Sequence, residues 1–294
     1  MGNRYLEPVL AWYGAQARDL PWRRQDASPW AVLVSEFMLQ QTPVSRVLPA
    51  YAAWLERWPD APALAASPPG EAVRQWGTLG YPRRALRLHE TARILTKNYG
   101  GQVPASVAEL ILLPGVGAYT AAAVASFAYR QRHAVLDTNV RRVLARLERG
   151  QEFPPRSATA AETTLAESLL PGDGPQAARW SVAVMELGAL VCTATKPRCP
   201  ACPVAAHCAW RRSGAPAGLR APGQPRYEGS DRQCRGRLLA VLRAAGGPVS
   251  ADQLAEAWPD PAQRARALDG LVSDGLVSDG LAEPLEDDRF APPA

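Results

Sequence analysis

Residues 113–120 read Leu-Pro-Gly-Val-Gly-Ala-Tyr-Thr and join the end of one predicted helix to the start of another. Gly115 and Gly117 allow positive φ angles and close approach of another backbone, while the second helix offers free N–H groups to an anion. One phosphate of a nucleic acid fits such a turn. A tight helix hairpin without a ligand explains the local pattern equally well. The stretch therefore predicts the hairpin and leaves its ligand open.

Short helices punctuated by proline and glycine are predicted on both sides of this turn. Apolar residues recur at helical spacing, and Ser28 followed by Pro29 is typical of a helix start. No alternating strand pattern competes in the first 210 residues, so the predicted fold class is all-α. The predicted helices cover residues 3–17, 29–38, 45–57, 71–76, 83–99, 106–112, 118–129, 139–148, 158–169 and 182–191.

Four of the five cysteines form a C-x6-C-x2-C-x5-C pattern made by Cys192, Cys199, Cys202 and Cys208. The intervals are too short for two unstrained disulfides, so the pattern indicates a metal or an iron–sulfur cluster. Structural zinc sites usually show two C-x2-C pairs and this chain has one, which favours iron–sulfur. Zinc held by three cysteines and His207 stays open. Cys234 stands apart and is interpreted as an ordinary thiol.

Composition restricts the function classes. The 294-residue chain is long enough for two or three compact units, and its net charge of +5 fits a polyanionic partner. Lys97 and Lys196 are its only lysines, so chemistry that needs a lysine amine has two candidates. The first residues lack the apolar core of a secretory signal, and no apolar stretch approaches the length of a membrane span. A cytosolic location is expected.

The composition changes after Trp210 to a Gly-, Pro- and Ala-rich linker that ends near Arg226. Helices are then predicted at residues 236–244, 251–257 and 261–269, followed by a polar tail that can form a hairpin. This order suggests a winged helix. A tandem GLVSD repeat occupies residues 270–274 and 275–279, and a slipped duplication explains it better than any function.

Two carboxylates attract attention as catalytic candidates. Glu36 lies in the middle of a helix with apolar neighbours, and burial there would raise its pKa and prepare it as a general acid. A Glu on the solvent face of the helix is the commoner alternative. Asp137 precedes the helix beginning near Asn139, where a carboxylate caps the helix and is held ionised. One protonated and one charged carboxyl is the division of labour that cleaves a glycosidic bond.

These segments, in this order, resemble the adenine DNA glycosylases of the MutY type in the helix-hairpin-helix superfamily. The resemblance covers about residues 18–208 and rests on LPWR (20–23), SEFMLQQT (35–42), LGY (79–81), LPGVG (113–117), LDTNVRRV (136–143) and the cysteine quartet. It implies a two-lobed glycosylase fold with a [4Fe–4S] cluster loop. The implied domains are a six-helix barrel with the hairpin (22–135), an iron–sulfur domain (1–21 and 136–210), a linker (211–226) and a small winged-helix-like domain (227–294).

The resemblance also implies residue roles. Glu36 is expected to protonate adenine N7 and to handle the water, and Asp137 to stabilise the oxocarbenium ion at the sugar. Asn139 is expected to orient the catalytic groups. Tyr119 stands where relatives resembling endonuclease III carry a Schiff-base lysine, and a phenol cannot form that imine. A monofunctional glycosylase that leaves an abasic site is therefore expected.

Contacts with DNA follow from the same resemblance. Arg18, Trp22 and Arg23 are expected to line the adenine pocket. Gln41 and Tyr81 resemble residues that wedge into the base stack where adenine is flipped out, with Thr42 beside them. The amides at Gly115 and Gly117 are expected to bind a DNA phosphate. The four cysteines are expected to hold the cluster, which keeps a DNA-contacting loop in shape.

Two departures from the family pattern bear on specificity. Val182 stands where the family pocket carries a Glu or Gln, which removes a hydrogen bond to the base edge. Typical members also have a C-terminal Nudix-like domain that inspects 8-oxoguanine, whereas this tail is short and reads as helical. Recognition of the opposite base then rests on Gln41, Thr42, Leu79 and Tyr81, or on the small domain.

The predicted function is base-excision repair of adenine mispaired with 8-oxoguanine or guanine. The predicted partner is double-stranded DNA containing mismatched adenine; the chain is expected to be a cytoplasmic, nucleoid-associated monomer with no membrane partner. A thymine or uracil mismatch glycosylase of the same fold is one alternative, although Glu36 followed by Phe-Met-Leu-Gln-Gln-Thr is not expected there. A non-catalytic redox or DNA-binding protein is the other alternative, and it predicts normal function in a Glu36→Gln variant.

Overall fold

The structure is a computed structural model that describes residues 3–219, 226–272 and 280–293. The described residues form two compact units. Unit 1 draws on Met1–Val32, Ala105–Ile111 and Val116–Gly223, and unit 2 on Leu33–Pro104, Leu112–Gly115 and Gln224–Ala294. Among the described helices, none combines the length and apolar character that crossing a bilayer requires.

Helices dominate the described residues, which confirms the all-α class. They are α1 (Leu6–Gln16), α2 (Pro29–Leu39), α3 (Val44–Arg57), α4 (Ala61–Ala65), α5 (Pro69–Trp76), α6 (Arg83–Asn98), α7 (Val107–Leu110), α8 (Ala118–Tyr129), α9 (Thr138–Arg149), α10 (Ala160–Leu169), α11 (Gly174–Leu190), α12 (Ala209–Arg212), α13 (Asp231–Ala244), α14 (Ala251–Ala257) and α15 (Pro261–Asp269).

Capping residues explain where prediction and structure differ. Helix α11 begins eight residues before the predicted start, because the side chain of Asp173 accepts a hydrogen bond from the Gln176 N–H and caps it. Helix α13 begins five residues early for the same reason, with Ser230 as the cap. The short helix α4 was missed, and Asp60 caps it through the Ala63 N–H at 2.8 Å. Polar residues read as loop in the sequence therefore act as helix starts.

Unit 1 is built around α1, α9 and α11. Tyr5 and Val9 of α1 pack with Val143 of α9 and Leu187 of α11 in one buried cluster that also contains Trp210. Helices α9 and α11 come close because residue 188 is glycine: a Cβ there would lie 2.7 Å from the Asn139 Cβ and 2.8 Å from its carbonyl oxygen. This close approach fixes the start of α9, where two candidate site residues lie.

Unit 2 contains an aromatic core between α3 and α5. The rings of Trp54 and Trp58 meet edge to face at 4.6 Å, and Trp54 meets Trp76 in the same way at 5.5 Å. All three side chains are buried. Helix α5 also packs on α6.

The C-terminal residues of unit 2 form the expected winged helix. Helix α13 is followed by strand β1 (Val249–Ser250), helices α14 and α15, and strands β2 (Glu283–Leu285) and β3 (Arg289–Ala291). The strands pair antiparallel in the order β1-β3-β2, with Val249 and Pro284 both opposite Phe290. The β2–β3 hairpin confirms the hairpin predicted for the tail. Residues 273–279 lie outside the described residues. They contain the second GLVSD copy and the last two residues of the first, Ser273 and Asp274. Residues 220–225 of the predicted linker also lie outside the described residues.

Candidate active site and cysteine cavity

Asp137 caps helix α9 and is held by two short hydrogen bonds. Its Oδ1 accepts from the Val140 N–H at 2.6 Å, and its Oδ2 accepts from the Asn139 side-chain amide at 2.6 Å. Burial raises the pKa of Asp137 above its ordinary value, while these hydrogen bonds and the Arg142 charge oppose the rise. The direction is opposite to what a helix cap alone predicts. The carboxyl is therefore rigidly placed in a poorly solvated position.

Arg142 connects this carboxyl to the first cysteine of the quartet. The guanidinium donates to the Asn139 side-chain oxygen at 2.8 Å, the Gly188 carbonyl at 2.8 Å and the Cys192 carbonyl at 2.7 Å. Because Asn139 in turn donates to Asp137, one continuous hydrogen-bonded chain runs from Asp137 to the backbone of Cys192. The start of α9 is thereby tied to the end of α11.

The predicted pocket arginines of unit 1 converge on Glu186. Arg18 binds it in bidentate fashion, with both nitrogen–oxygen distances 2.7 Å, and Arg23 donates to Oε2 at 2.8 Å. Burial acts to raise the pKa of Glu186, but hydrogen bonds from Arg18 and the Arg23 charge outweigh it and lower the pKa to about 2. Trp22, between the two arginines in sequence, is buried. Glu186 thus fixes two of the three residues predicted to contact the base.

The four cysteines of the quartet line one cavity. This cavity has an empty volume of about 370 Å³, including space open to solvent, and its wall also contains Val143, Leu187 and Trp210. Burial raises the pKa of Cys202 to about 11 and also raises the pKa of Cys192. Four sulfur donors around one cavity fit a [4Fe–4S] cluster, which takes one thiolate for each iron.

Arg146 supplies positive charge at this cavity. Its side chain is 1% exposed and donates to the Cys192 Sγ at 3.3 Å and to the Thr193 carbonyl at 2.8 Å. The guanidinium also lies over the Trp210 ring, 4.8 Å from its centroid. His207 is exposed and meets the ring of Tyr5 edge to face, and it is absent from the residues lining the cavity. Three cysteines with His207 are therefore not assembled as a zinc site.

Unit 2 carries the other carboxylate of the expected pair. Glu36 is 5% exposed in α2, between the fully buried Ser35 and Phe37. The common alternative of a solvent-facing glutamate is therefore wrong for this residue. A buried ionisable group in a glycosylase-like sequence context is a functional candidate rather than a surface charge.

Gln41 and Tyr81 of unit 2 have unusual backbone conformations. Their φ angles are +55° and +47°, in the left-handed region that non-glycine residues seldom adopt, and both residues are exposed. Thr42 connects the two loops because its hydroxyl donates to the Leu79 carbonyl at 3.2 Å. Arg84 joins them further by donating to the carbonyls of Gln40 at 2.6 Å and Gly80 at 2.9 Å. Gln41 and Tyr81 thus expose their side chains from strained backbone positions in two loops that hydrogen bonds hold together.

The hairpin turn has the geometry that its glycines predict. Gly115 has a φ of +80°, and a Cβ there would lie 2.8 Å from the Phe37 ring, so only glycine fits. Thr91 donates its hydroxyl to the Pro114 carbonyl at 2.8 Å and holds this side of the turn. Gly117 is the N-cap of α8, and a Cβ there would meet no atom within 4 Å. Tyr119 lies in the first turn of α8 and is partly exposed.

Comparisons with known proteins identify the class to which this fold and site belong. Residues 34–168 match the family described as HhH-GPD superfamily base excision DNA repair protein. The adenine DNA glycosylase of Mycolicibacterium smegmatis is 54% identical over 97% of this chain and 96% of its own. That of Mycobacterium tuberculosis is 50% identical over 92% and 90%. A solved thermostable thymine-DNA glycosylase is 28% identical, covers 71% of this chain and 95% of its own, and has a TM-score of 0.65.

The fold is therefore that of the helix-hairpin-helix DNA glycosylases. Within this class, the chain belongs to the adenine DNA glycosylase family, which confirms the resemblance found in the sequence. Sequence reasoning missed Glu186, Arg142, Arg84 and Arg146. A signal existed for Glu186, which is a lone acidic residue in the apolar run that precedes Cys192. Val182, at the position where the sequence resemblance implies a Glu or Gln, lies one helical turn before Glu186 in α11 and is partly buried.

Proposed function

We propose that the chain removes adenine from DNA by hydrolysing its N-glycosidic bond opposite 8-oxoguanine or guanine. The observation that carries this proposal is Asp137, fixed by two hydrogen bonds of 2.6 Å in a poorly solvated place where it can face a cation. Relatives at 54% and 50% identity that are named adenine DNA glycosylase support the choice of base.

The proposed reaction uses the two carboxyl groups in different protonation states. Glu36 donates a proton to adenine N7, and the bond between the sugar C1′ and adenine N9 breaks as adenine leaves with the electron pair. The Asp137 carboxylate stabilises the positive charge that develops on the sugar. Water then adds to C1′ and gives its proton to the ionised Glu36. The products are free adenine and an abasic site, and the enzyme regains its starting state.

Base release under single-turnover conditions tests this proposal. Matched duplexes would carry A opposite 8-oxoguanine, A opposite G, T opposite G and U opposite G. Wild-type protein is expected to release adenine from the first two, while Glu36→Gln and Asp137→Asn are expected to lose this activity. Adenine release that survives in both variants contradicts the mechanism, and a protein that releases only thymine or uracil supports the alternative substrate.

Tyr119 supports a monofunctional reaction. Residues 118–120 begin α8, and the phenol of Tyr119 has no amine with which to form an imine to the abasic sugar. We expect borohydride to trap little covalent enzyme–DNA adduct. A Tyr119→Lys variant provides the comparison, because it restores the amine at this position. Efficient trapping by the wild type contradicts the monofunctional reaction.

A [4Fe–4S] cluster held by the four cysteines is the proposed cofactor. The support for a cluster is that the side chains of all four cysteines line one cavity, from whose lining His207 is absent. The four thiolates would each hold one iron, and the bound cluster would tie residues 192–208 together as one loop. Iron analysis should give about four irons per chain. Cys199→Ser should lose most of this iron, whereas Cys234→Ser, outside the quartet, should retain it.

Duplex DNA containing mismatched adenine is the proposed substrate, bound by a monomer in the cytoplasm near the nucleoid. The net charge of +5 supports a polyanionic partner. The phosphate-binding role of the Gly115 and Gly117 amides belongs to the same proposal. A thymine or uracil glycosylase is not favoured, since the solved thymine-DNA glycosylase is only 28% identical. Light scattering with and without duplex DNA tests the oligomeric state.

A further inference from the structure

The loop at residues 77–81, between α5 and α6, is held by an unusual set of hydrogen bonds. Each of its five consecutive carbonyl groups accepts a hydrogen bond from a side chain. In chain order, the donors are Arg243 to Gly77, Arg46 to Thr78, Thr42 to Leu79, Trp76 and Arg84 to Gly80, and Arg84 to Tyr81. Loop carbonyls usually bind water, so this loop has been fixed in one conformation by the protein around it.

The fixed conformation is strained at Tyr81, whose φ angle is +47°. Gly77 and Gly80 also have positive φ angles, of +55° and +83°, which glycine adopts without strain. Tyr81 is also 47% exposed, one of the most exposed large apolar side chains among the described residues. A non-glycine residue keeps such a backbone only when its surroundings overdetermine it, and such strain is concentrated at functional sites. Loss of one brace should therefore let the loop relax.

One of these braces comes from the C-terminal winged helix. Arg243 lies in α13, which packs on α5, and it reaches the Gly77 carbonyl across 166 residues of sequence. The end of the chain also contacts α5: a Cβ on Gly70 would collide with the Pro293 carbonyl and lie 3.1 Å from the Pro292 side chain. Burial lowers the pKa of Arg243 to about 10, and its Nε has no hydrogen-bond partner. This arginine faces the loop rather than solvent.

The charge of the winged helix argues against a phosphate-binding role for it. Residues 226–294 contain eight arginines, no lysine and twelve acidic residues, whereas residues 1–225 contain 25 cationic and 16 acidic residues. Glu286, Asp287 and Asp288 sit at the tip of the β2–β3 hairpin, where a DNA-binding wing would carry cations. The C-terminal domain is thus better suited to act on the protein than on DNA.

We propose that Arg243 is a positioning residue through which the winged-helix domain holds the 77–81 loop, and with it Tyr81, in the conformation that engages the mispair. This inference rests on the proposed function, because that function gives Tyr81 its contact with the base stack. It assigns a role to the C-terminal domain, which fixes the conformation of the recognition loop through the hydrogen bond from Arg243 to the Gly77 carbonyl.

The test compares Arg243→Ala with Arg243→Lys and with Arg237→Ala, an exposed arginine on the same helix that serves as matched control. Amide hydrogen exchange of the DNA-free protein should be faster at residues 77–83 in Arg243→Ala and unchanged in Arg237→Ala. Fluorescence anisotropy with a duplex containing A opposite 8-oxoguanine should show affinity about tenfold weaker in Arg243→Ala, and within about threefold of wild type in Arg243→Lys.

Kinetics separate positioning from general destabilisation. When enough Arg243→Ala protein is present to saturate the duplex, its single-turnover rate of adenine release should stay within about twofold of the wild-type rate. Only capture of the mispair is impaired in this variant. Equal duplex affinity and equal exchange in Arg243→Ala and Arg237→Ala overturn the inference. An equal loss of rate and affinity, with faster exchange throughout the protein, overturns it as well. Neither exchange nor anisotropy requires base release, so a wild type that releases no adenine contradicts only the proposed function.

Discussion

At the scale of single residues, the Asp137 carboxylate has to meet two opposing requirements. A carboxylate that stabilises a cation acts most strongly where water is excluded, yet burial favours its neutral form. The structure resolves this conflict with donors: the Val140 N–H and the Asn139 amide both bind the carboxylate, and Arg142 adds positive charge. The useful ionised form therefore depends on Asn139.

Asn139→Ala removes one of these donors, and its effect should depend on pH. Asp137 must be ionised, so activity falls as the pH drops through its pKa, which already lies above the ordinary 3.8. Loss of the donor raises this pKa further, and the acid limb of the rate–pH profile should move to higher pH. The rate at the optimum should also fall about tenfold or more. Single-turnover adenine release between pH 4.5 and 8 measures both effects.

Thr138→Ala is the matched control for this profile, because Thr138 is exposed in the same helical turn. Its rate–pH profile should coincide with that of the wild type. An acid limb that stays in place in Asn139→Ala shows that the amide does not set the protonation of Asp137.

Glu186→Gln tests whether the buried ion pairs hold unit 1 together. Replacing this carboxylate leaves Arg18 and Arg23 without their counter-ion, which should lower the free energy of unfolding by about 3 kcal/mol at pH 7. Because the folded pKa of about 2 lies below the ordinary 4.5, the carboxylate stabilises the fold fully above pH 4.5 and loses this effect as the pH falls toward 2. The difference between the two proteins should therefore shrink in acid.

Urea unfolding at pH 7 and pH 3 measures this difference. Asp19→Asn provides the control, since Asp19 forms an exposed pair with Arg24 and should leave the stability close to that of the wild type. A pH-independent difference between Glu186→Gln and the wild type would assign the loss to packing rather than to charge.

Single residues also show what sequence can and cannot predict about the site. The motifs around Glu36 and Asp137 identified both as candidates, but the burial of Glu36 is a property of the folded chain and could not be read from its local sequence. Glu186 was missed because its partner Arg18 lies 168 residues away. Roles that depend on one residue type are predictable, whereas roles that depend on distant partners require the fold.

At the scale of elements, the contact of α9 with α11 controls the position of Asp137. Gly188→Ala would place a methyl group 2.7 Å from the Asn139 Cβ and against its backbone, which cannot yield as a flexible side chain would. We expect a loss of stability of about 1–3 kcal/mol. The rate of adenine release should fall as well, because the start of α9 is displaced.

Gly172→Ala is the control for this substitution, because a Cβ there meets no atom within 4 Å. Thermal unfolding and single-turnover release should both match the wild type in this control. Normal stability and rate in Gly188→Ala would mean that α9 and α11 can separate without consequence for the site.

The helices themselves were largely predictable from sequence, and their connections were not. Helices α8, α14 and α15 have the predicted bounds because proline, glycine and capping residues mark their ends. Gly77 and Pro82 mark the ends of the loop at residues 77–81 in the same way, but no local signal predicts its conformation, which is fixed by donors from α3, α5, α6 and α13 and by Thr42. A short segment braced from so many elements becomes visible only when the whole unit is assembled.

At the scale of the whole molecule, charge is divided unevenly along the chain. An excess of nine positive charges in residues 1–225 precedes an excess of four negative charges in residues 226–294. Attraction to DNA should therefore come from the glycosylase part, and the domain boundaries predicted from sequence place this division at the linker. The overall +5 hides this asymmetry.

The salt dependence of duplex binding tests this division. Each cation that contacts a phosphate releases counter-ions, so its removal should reduce the slope of log K against log salt by about 1. Lys196→Ala, at an exposed position inside the cysteine loop, should show this reduction, whereas Arg237→Ala in α13 should leave the slope unchanged. Anisotropy titrations from about 50 to 200 mM salt span the range in which such contacts dominate affinity. A reduced slope in Arg237→Ala would instead bring the winged helix into contact with DNA, despite its acidic hairpin.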